Sequence, residues 1–198
     1  MGAISASLVK ELRDKTGAGM MDCKGALTEC GGDIEKAVDF LRKKGLAKAA
    51  KRSGRATSEG IVESYIHMGG KIGVMVEVNC ESDFVAKTDD FKEFARNVAM
   101  QIAATNPAGI TPEDIPADVV ERERQVYREQ VLEMGKPENI VDKIVEGKMK
   151  KFYKEACLME QQYIKDPNIT IADYLNEVVA KIGENIRINR FARFQVGE

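Results

Sequence analysis

The sequence is poor in the groups that most often carry covalent chemistry. Among 198 residues there is one histidine, His67, and only four cysteines, Cys23, Cys30, Cys80 and Cys157. None of the cysteines falls in a Cys-x-x-Cys pair, and one histidine cannot complete a Cys/His zinc site, so no metal and no cofactor is expected. Reduced thiols in a reducing compartment are the reading that follows. If Cys23 and Cys30 share a helix, they lie about 10 Å apart along its axis, too far for a disulfide. Long apolar runs are also missing. Charge interrupts each one well short of the ~20 residues that cross a bilayer, and the N-terminus carries no apolar signal region, so a cytoplasmic protein without membrane contact is expected. Neither sign of charge dominates: 30 basic residues face 32 acidic ones, a net of −2. Such a balance does not advertise a nucleic-acid binder. With 43% hydrophobic and 31% charged positions, disordered and fibrous classes are excluded as well.

What is present is unevenly placed. Residues 1–55 hold 12 basic and 7 acidic side chains, residues 56–198 hold 18 and 25, and this marks a boundary near residue 55. The first 45 residues read as a three-helix module. Ser5 is an N-cap type ahead of Leu8, Val9 and Leu12, and Gly17 suits a left-handed C-terminal cap. Cys23, Ala26, Leu27 and Cys30 make a second stripe at helical spacing before Gly31 and Gly32. Asp33 caps a third helix, with Ile34, Ala37, Val38 and Leu41, that is expected to end at Gly45. So small a core is marginal alone and would gain from docking on a partner. From Arg42 to Arg55 there are seven basic residues and no acidic one. Residues 46–56 read as a basic linker, which is either a solvated tether or an electrostatic contact for an acidic surface or RNA.

Beyond the linker, residues 57–198 form the core. The apolar period changes to two over Ile61 to Ile66 and Ile72 to Val78, and Gly69-Gly70 suits the tight turn of a hairpin. The Gly-Gly-Lys there is no phosphate loop, since Tyr65 stands where its first glycine belongs and Ile72 where Ser or Thr belongs. A helix opened by Thr88 and Asp89 carries Phe91, Phe94, Ala95, Val98 and Ile102 and stops at Asn106-Pro107. Residues 118–165 then read as a projecting antiparallel helical hairpin with a narrow apolar seam, turning at Gly135-Lys-Pro137. A last helix bears Ile171, Leu175, Val178, Val179 and Ile182. A final strand runs from Asn185 to Val196, with Ile186, Ile188, Arg190, Ala192, Phe194 and Val196 on one face. The fold class is α+β, a three-stranded antiparallel sheet with helices on one face. Its other face is half apolar and needs cover, which points to self-association or a partner.

No Ser/His/Asp or Cys/His set is assured, because His67 lies beside a hairpin turn, and a binding function becomes the default over an enzyme. Two segments stand out. In Cys80-Glu-Ser-Asp-Phe-Val-Ala-Lys87, Ser82 or Asp83 caps a helix with Phe84 as a core staple; alternatively Phe84 is an exposed wedge for a partner's pocket, with Asp83 beside it. In Thr-Gly-Ala-Gly-Met-Met-Asp-Cys-Lys, residues 16–24, Met20 and Met21 are either core or an adaptable contact surface.

Leu12-Arg-Asp-Lys-Thr-Gly-Ala-Gly-Met-Met-Asp-Cys-Lys-Gly-Ala-Leu27 resembles the N-terminal signature of the elongation factor Ts family. Glu77-Val-Asn-Cys-Glu-Ser-Asp-Phe-Val-Ala-Lys87 resembles its second signature, with Ser82 where the family usually has Thr. Lys181-Ile-Gly-Glu-Asn-Ile186 and Arg190-Phe-Ala-Arg-Phe194 are similar to the family's core. The chain holds one hairpin-plus-helix unit, like the short form in which two chains supply two halves. The resemblance implies a cytoplasmic guanine-nucleotide exchange factor for the translational GTPase elongation factor Tu, acting as a homodimer in a 2:2 complex without direct nucleic-acid binding. It implies a docking module similar to ubiquitin-associated domains, with Arg13, Met21 and Lys24 as contacts and Ile182 and Gly183 as core contacts. Asp83 and Phe84 would intrude beside the Mg²⁺ and phosphate site of Tu. The alternative is an RNA-binding ribosome accessory protein that uses the basic linker.

Overall fold

The computed structural model describes residues 4–197, and its architecture is the expected α+β class: N-terminal helices, a three-stranded antiparallel sheet with helices, and a helical hairpin. The chain divides into two compact units. Among the described residues, one comprises 4–62, 77–95 and 173–189; the other comprises 63–76, 96–172 and 190–197.

The first unit begins with three helices, α1 (Ala6–Thr16), α2 (Met20–Glu29) and α3 (Ile34–Arg52). Their starts follow from side chains that satisfy orphan amides. Ser5 Oγ accepts from the Leu8 amide at 3.2 Å, and an Asp33 carboxylate oxygen accepts from the Lys36 amide at 3.1 Å. Gly17 closes α1 at φ +65°, where its amide donates to the Arg13 carbonyl. Val9, Leu12, Cys23, Ala26, Leu27 and Ala37 form the buried centre of the module, the residues whose spacing marked the three stripes.

Helix α3 does not end at Gly45. It continues through most of the stretch read as a linker, because Leu46-Ala-Lys-Ala-Ala-Lys-Arg52 is built of strong helix formers that outweigh one glycine. Gly45 has a packing reason to be there: a Cβ on it would lie 3.2 Å from that of Ala180. Ala49 is buried. The irregular connection is thereby reduced to the few residues after Arg52.

Strands β1 (Glu59–Ile66) and β2 (Ile72–Cys80) form the expected hairpin, and with β5 (Ile186–Gln195) they make a sheet ordered β1-β2-β5. At Gly60, φ is +152° and a Cβ would stand 2.2 Å from the Val78 carbonyl oxygen; only glycine allows so close an approach. After β2 come a single turn, α4 (Asp83–Ala86), and α5 (Asp89–Thr105). In this unit Val78, Phe91, Phe94, Ile186 and Ile188 are buried, and Phe94 packs against Tyr174 of α8 (Ile171–Ile182) with ring centroids 5.2 Å apart.

In the second unit, α6 (Ala117–Glu133) and α7 (Glu138–Ala156) form the hairpin, joined at Gly135-Lys-Pro137. Val131, Val141, Val145 and Met149 fill its seam. The hairpin was expected to reach residue 165, but α7 stops at Ala156. The Ala156 carbonyl accepts from the Ala108 amide at 2.8 Å, and the Leu158 amide donates to Gly109 at 2.9 Å, so backbone bonding to residues 108–110 replaces the next helical turn. The chain then makes a short two-stranded sheet from β3 (Gln162–Tyr163) and β4 (Asp166–Thr170). A buried amide network supports it: Gln101 Nε2 donates to Gln161 Oε1 and to the Gln162 carbonyl, both at 3.1 Å. Along β5, Ile186 and Ile188 are buried as expected, but Arg190, Ala192, Phe194 and Val196 are exposed and Phe191 and Arg193 are half-buried. Two successive exposed residues, Asn189 and Arg190, shift the phase by one.

Candidate functional site

Strand β2 delivers the chain to a tight corner. Cys80, its last residue, is buried and its Sγ donates to the Ser82 carbonyl at 3.1 Å; burial pushes its thiol pKa up. Ser82 then caps α4, its Oγ accepting from the Val85 amide at 3.4 Å. At the far end Thr88 Oγ1 donates to the Val85 carbonyl at 2.7 Å and accepts from the Phe91 amide at 3.4 Å, joining α4 to the start of α5.

This turn lifts Asp83 and Phe84 into solvent. Phe84 is 79% exposed, so the reading of it as a core staple does not hold; Ala86 is the buried residue of the turn. Asp83 is exposed and takes a 2.7 Å bond from Lys87 Nζ, which lowers its pKa and raises that of Lys87. The same ammonium lies 6.0 Å from the centre of the Phe84 ring.

Contacts that the sequence did not foresee hold the corner from below. Ser82 donates twice to Glu184, from its amide to Oε2 at 3.0 Å and from its hydroxyl to Oε1 at 2.6 Å. Glu81 Oε1 accepts from the Asn185 amide at 2.7 Å, and Asn185 Nδ2 reaches the Arg55 carbonyl at 2.8 Å. More than a hundred residues separate these partners in sequence, so no local pattern could have paired them.

The remaining candidates fall on two other surfaces of the same unit. Arg13 lies in the last turn of α1, while Met21 and Lys24, three residues apart, share a face of α2; all three are exposed, Met21 at 78%. Met21 is therefore surface rather than core. Ile182 ends α8 and is half-buried, and Gly183 follows at φ +92°, its amide closing the helix onto the Val179 carbonyl. Ile182 and Gly183 thus stand immediately before Glu184 and Asn185. The basic stretch is largely engaged within the protein: Lys44 and Lys48 both bond Asp22 and depress its pKa, Arg42 pairs with Asp173, and Arg55 with Glu81. Arg52 donates to the Val179 carbonyl at 3.4 Å. His67 sits at the hairpin turn, 3.1 Å from the Tyr65 hydroxyl. Among the described residues no three His, Cys, Asp or Glu are grouped to hold a metal ion, and no helix is long and apolar enough to cross a membrane.

Comparison with known proteins bears on this arrangement directly. Residues 45–198 match the protein family described as Elongation factor TS. An elongation factor Ts from Desulfosudis oleivorans is 86% identical over 198 residues, covering all of both chains. The chain belongs to the elongation factor Ts family. An elongation factor Ts from Syntrophobacter fumaroxidans is 66% identical over 98% of this chain and 97% of its own, and one from Carboxydothermus hydrogenoformans is 61% identical over 98% and 90%. Elongation factor Ts, a cytoplasmic translation factor and not an enzyme, is the nucleotide-exchange factor for elongation factor Tu.

Proposed function

We propose that this protein speeds GDP release from elongation factor Tu by pressing the Asp83-Phe84 turn beside the Mg²⁺ and phosphate site of Tu. The observation that carries the reading is the exposure of Phe84, a large apolar side chain held in water on the turn that follows β2. Such a ring gains most by entering a partner's pocket. Mg²⁺ demands near-ideal octahedral geometry, so small displacements of the groups around it weaken the nucleotide's hold. Asp83, charged and adjacent, acts on the polar network about the metal. Arg13, Met21 and Lys24 dock the N-terminal module on Tu, and Ile182 and Gly183 touch it near the phosphates.

Thermodynamic reciprocity fixes the rest. If this protein weakens GDP binding, GDP weakens its binding by the same factor, so the ternary complex is transient and either nucleotide displaces the factor. Cellular supply then decides which nucleotide is loaded. The working assembly is a homodimer in a 2:2 complex. Ile66, Met75 and Phe194 support that reading, being exposed apolar side chains on strands that a second copy would cover.

Stopped-flow release of a fluorescent GDP analogue from Tu tests the proposal. The intact protein is expected to accelerate release, and Asp83→Ala with Phe84→Ala to lose most of that acceleration. No acceleration by the intact protein retires it.

A further inference from the structure

We infer that Glu184 is a positioning residue for exchange: through Ser82 it holds the Asp83-Phe84 turn stiff enough to displace groups in the partner. This rests on the role proposed above for that turn. The need for a brace comes from the length of α4. Four residues cannot sustain a helix, because nucleation costs more than one turn of hydrogen bonds returns. Nor does the turn have much of its own to bury, since Ala86 is its one buried residue. A wedge that yields before its target transmits nothing, so the stiffness must come from the ends of the turn.

At the C-terminal end Thr88 supplies it locally. At the N-terminal end the supply comes from the segment after α8. The Glu184 carboxylate takes both donors of Ser82 at 3.0 and 2.6 Å. That leaves the Ser82 oxygen lone pairs for the Val85 amide, as the 3.4 Å contact shows. One carboxylate therefore fixes the rotamer of the capping hydroxyl as well as the backbone before Asp83. The arrangement is reciprocal. Glu184 takes the backbone amide of Ser82, and Glu81, one residue earlier, takes the backbone amide of Asn185, one residue later, at 2.7 Å. Two acids cross between two chain segments, each gripping the other's main chain. Bonds of this charge-assisted kind are the stronger class. The Gly183 backbone at φ +92° turns the chain out of α8 and into this clasp.

The test is a double-mutant cycle read in exchange kinetics, with Tu preloaded with a fluorescent GDP analogue. Glu184→Ala is expected to lower the maximal release rate at saturating protein by about tenfold, the scale of small misplacements at a working site. The protein concentration giving half the maximum should stay within about twofold, because the docking module is untouched. Hydrogen exchange of a peptide spanning residues 80–90 should quicken in the same variant. Glu184→Gln retains the shape and an acceptor for the Ser82 amide, and is expected to fall between Ala and the native protein; it serves as the reading if Ala does not fold. On the Asp83→Ala, Phe84→Ala background, Glu184→Ala should change the rate no further. An equal fold-loss on that background, or a native maximal rate for Glu184→Ala beside a defective Asp83→Ala, Phe84→Ala protein, overturns the clasp alone. Native exchange by the Asp83→Ala, Phe84→Ala protein overturns both the clasp and the proposed tip.

Discussion

At the scale of single residues, charge and burial set what each group can do. Asp83 has a pKa below the ordinary 3.8 because Lys87 donates to it. A lowered carboxylate pKa means that the ion pair's contribution is present above the ordinary value and disappears as pH falls through the lowered one. Exchange near neutrality is therefore expected to be indifferent to this pair's protonation, and Lys87→Met should return the Asp83 titration, followed by carbonyl NMR, toward 3.8. The thiols differ more. Burial raises Cys157 to about 11 and also raises Cys80, whereas Cys30 is half-buried. Thiolate, not thiol, is the reactive form. With a disulfide reagent at pH 8, Cys30 should be modified first and Cys157 only on unfolding, as peptide mapping would read; early labelling of Cys157 would contradict its placement.

Elements were legible wherever their cause was local. Ser5, Asp33 and Thr88 each act on amides three residues away, and such caps can be read in sequence. The hairpin turn at Gly69-Gly70 and the end of α1 at Gly17 belong to the same class. Gly45 misled because a glycine inside a helix looks like a stop until the close approach of Ala180 is seen. The β3 and β4 ladder was invisible: one strand has two residues, the other contains Pro167, and neither shows a period. Phe84 stayed ambiguous because an aromatic beside a cap suits a staple and a wedge alike. The clasp lay beyond reach, since Ser82 and Glu184 meet only through the fold. At Gly60, where a Cβ would strike the Val78 carbonyl at 2.2 Å, Gly60→Ala should cost on the order of 3 kcal/mol or more in urea unfolding. In the hairpin, Met149→Ala should cost about 2–5 kcal/mol by leaving a cavity. Removing the exposed Arg128 and Asp142 pair should cost under about 1 kcal/mol.

For the whole molecule, the question is which surfaces another chain covers. Phe194 is 68% exposed, and Ile66 and Met75 are also open to solvent. In the proposed homodimer these side chains are buried by the second copy. Sedimentation velocity at micromolar concentration should then give a dimer, and Met75→Asp should shift it toward monomer without loss of helical circular dichroism. A monomeric native protein, alone and with Tu, would remove the dimer from the proposal.

Helix α3 runs unbroken from Ile34 to Arg52, a rod of about 28 Å at the usual rise per residue. Two footholds joined by string can each find their own place on a target; joined by a rod, they must land together. On the docking proposed above, the surface bearing Arg13, Met21 and Lys24 and the corner bearing Phe84 would operate as a caliper, and what the caliper accepts is a span. A GTPase with a similar metal site but a different spacing would satisfy one jaw and be refused by the other.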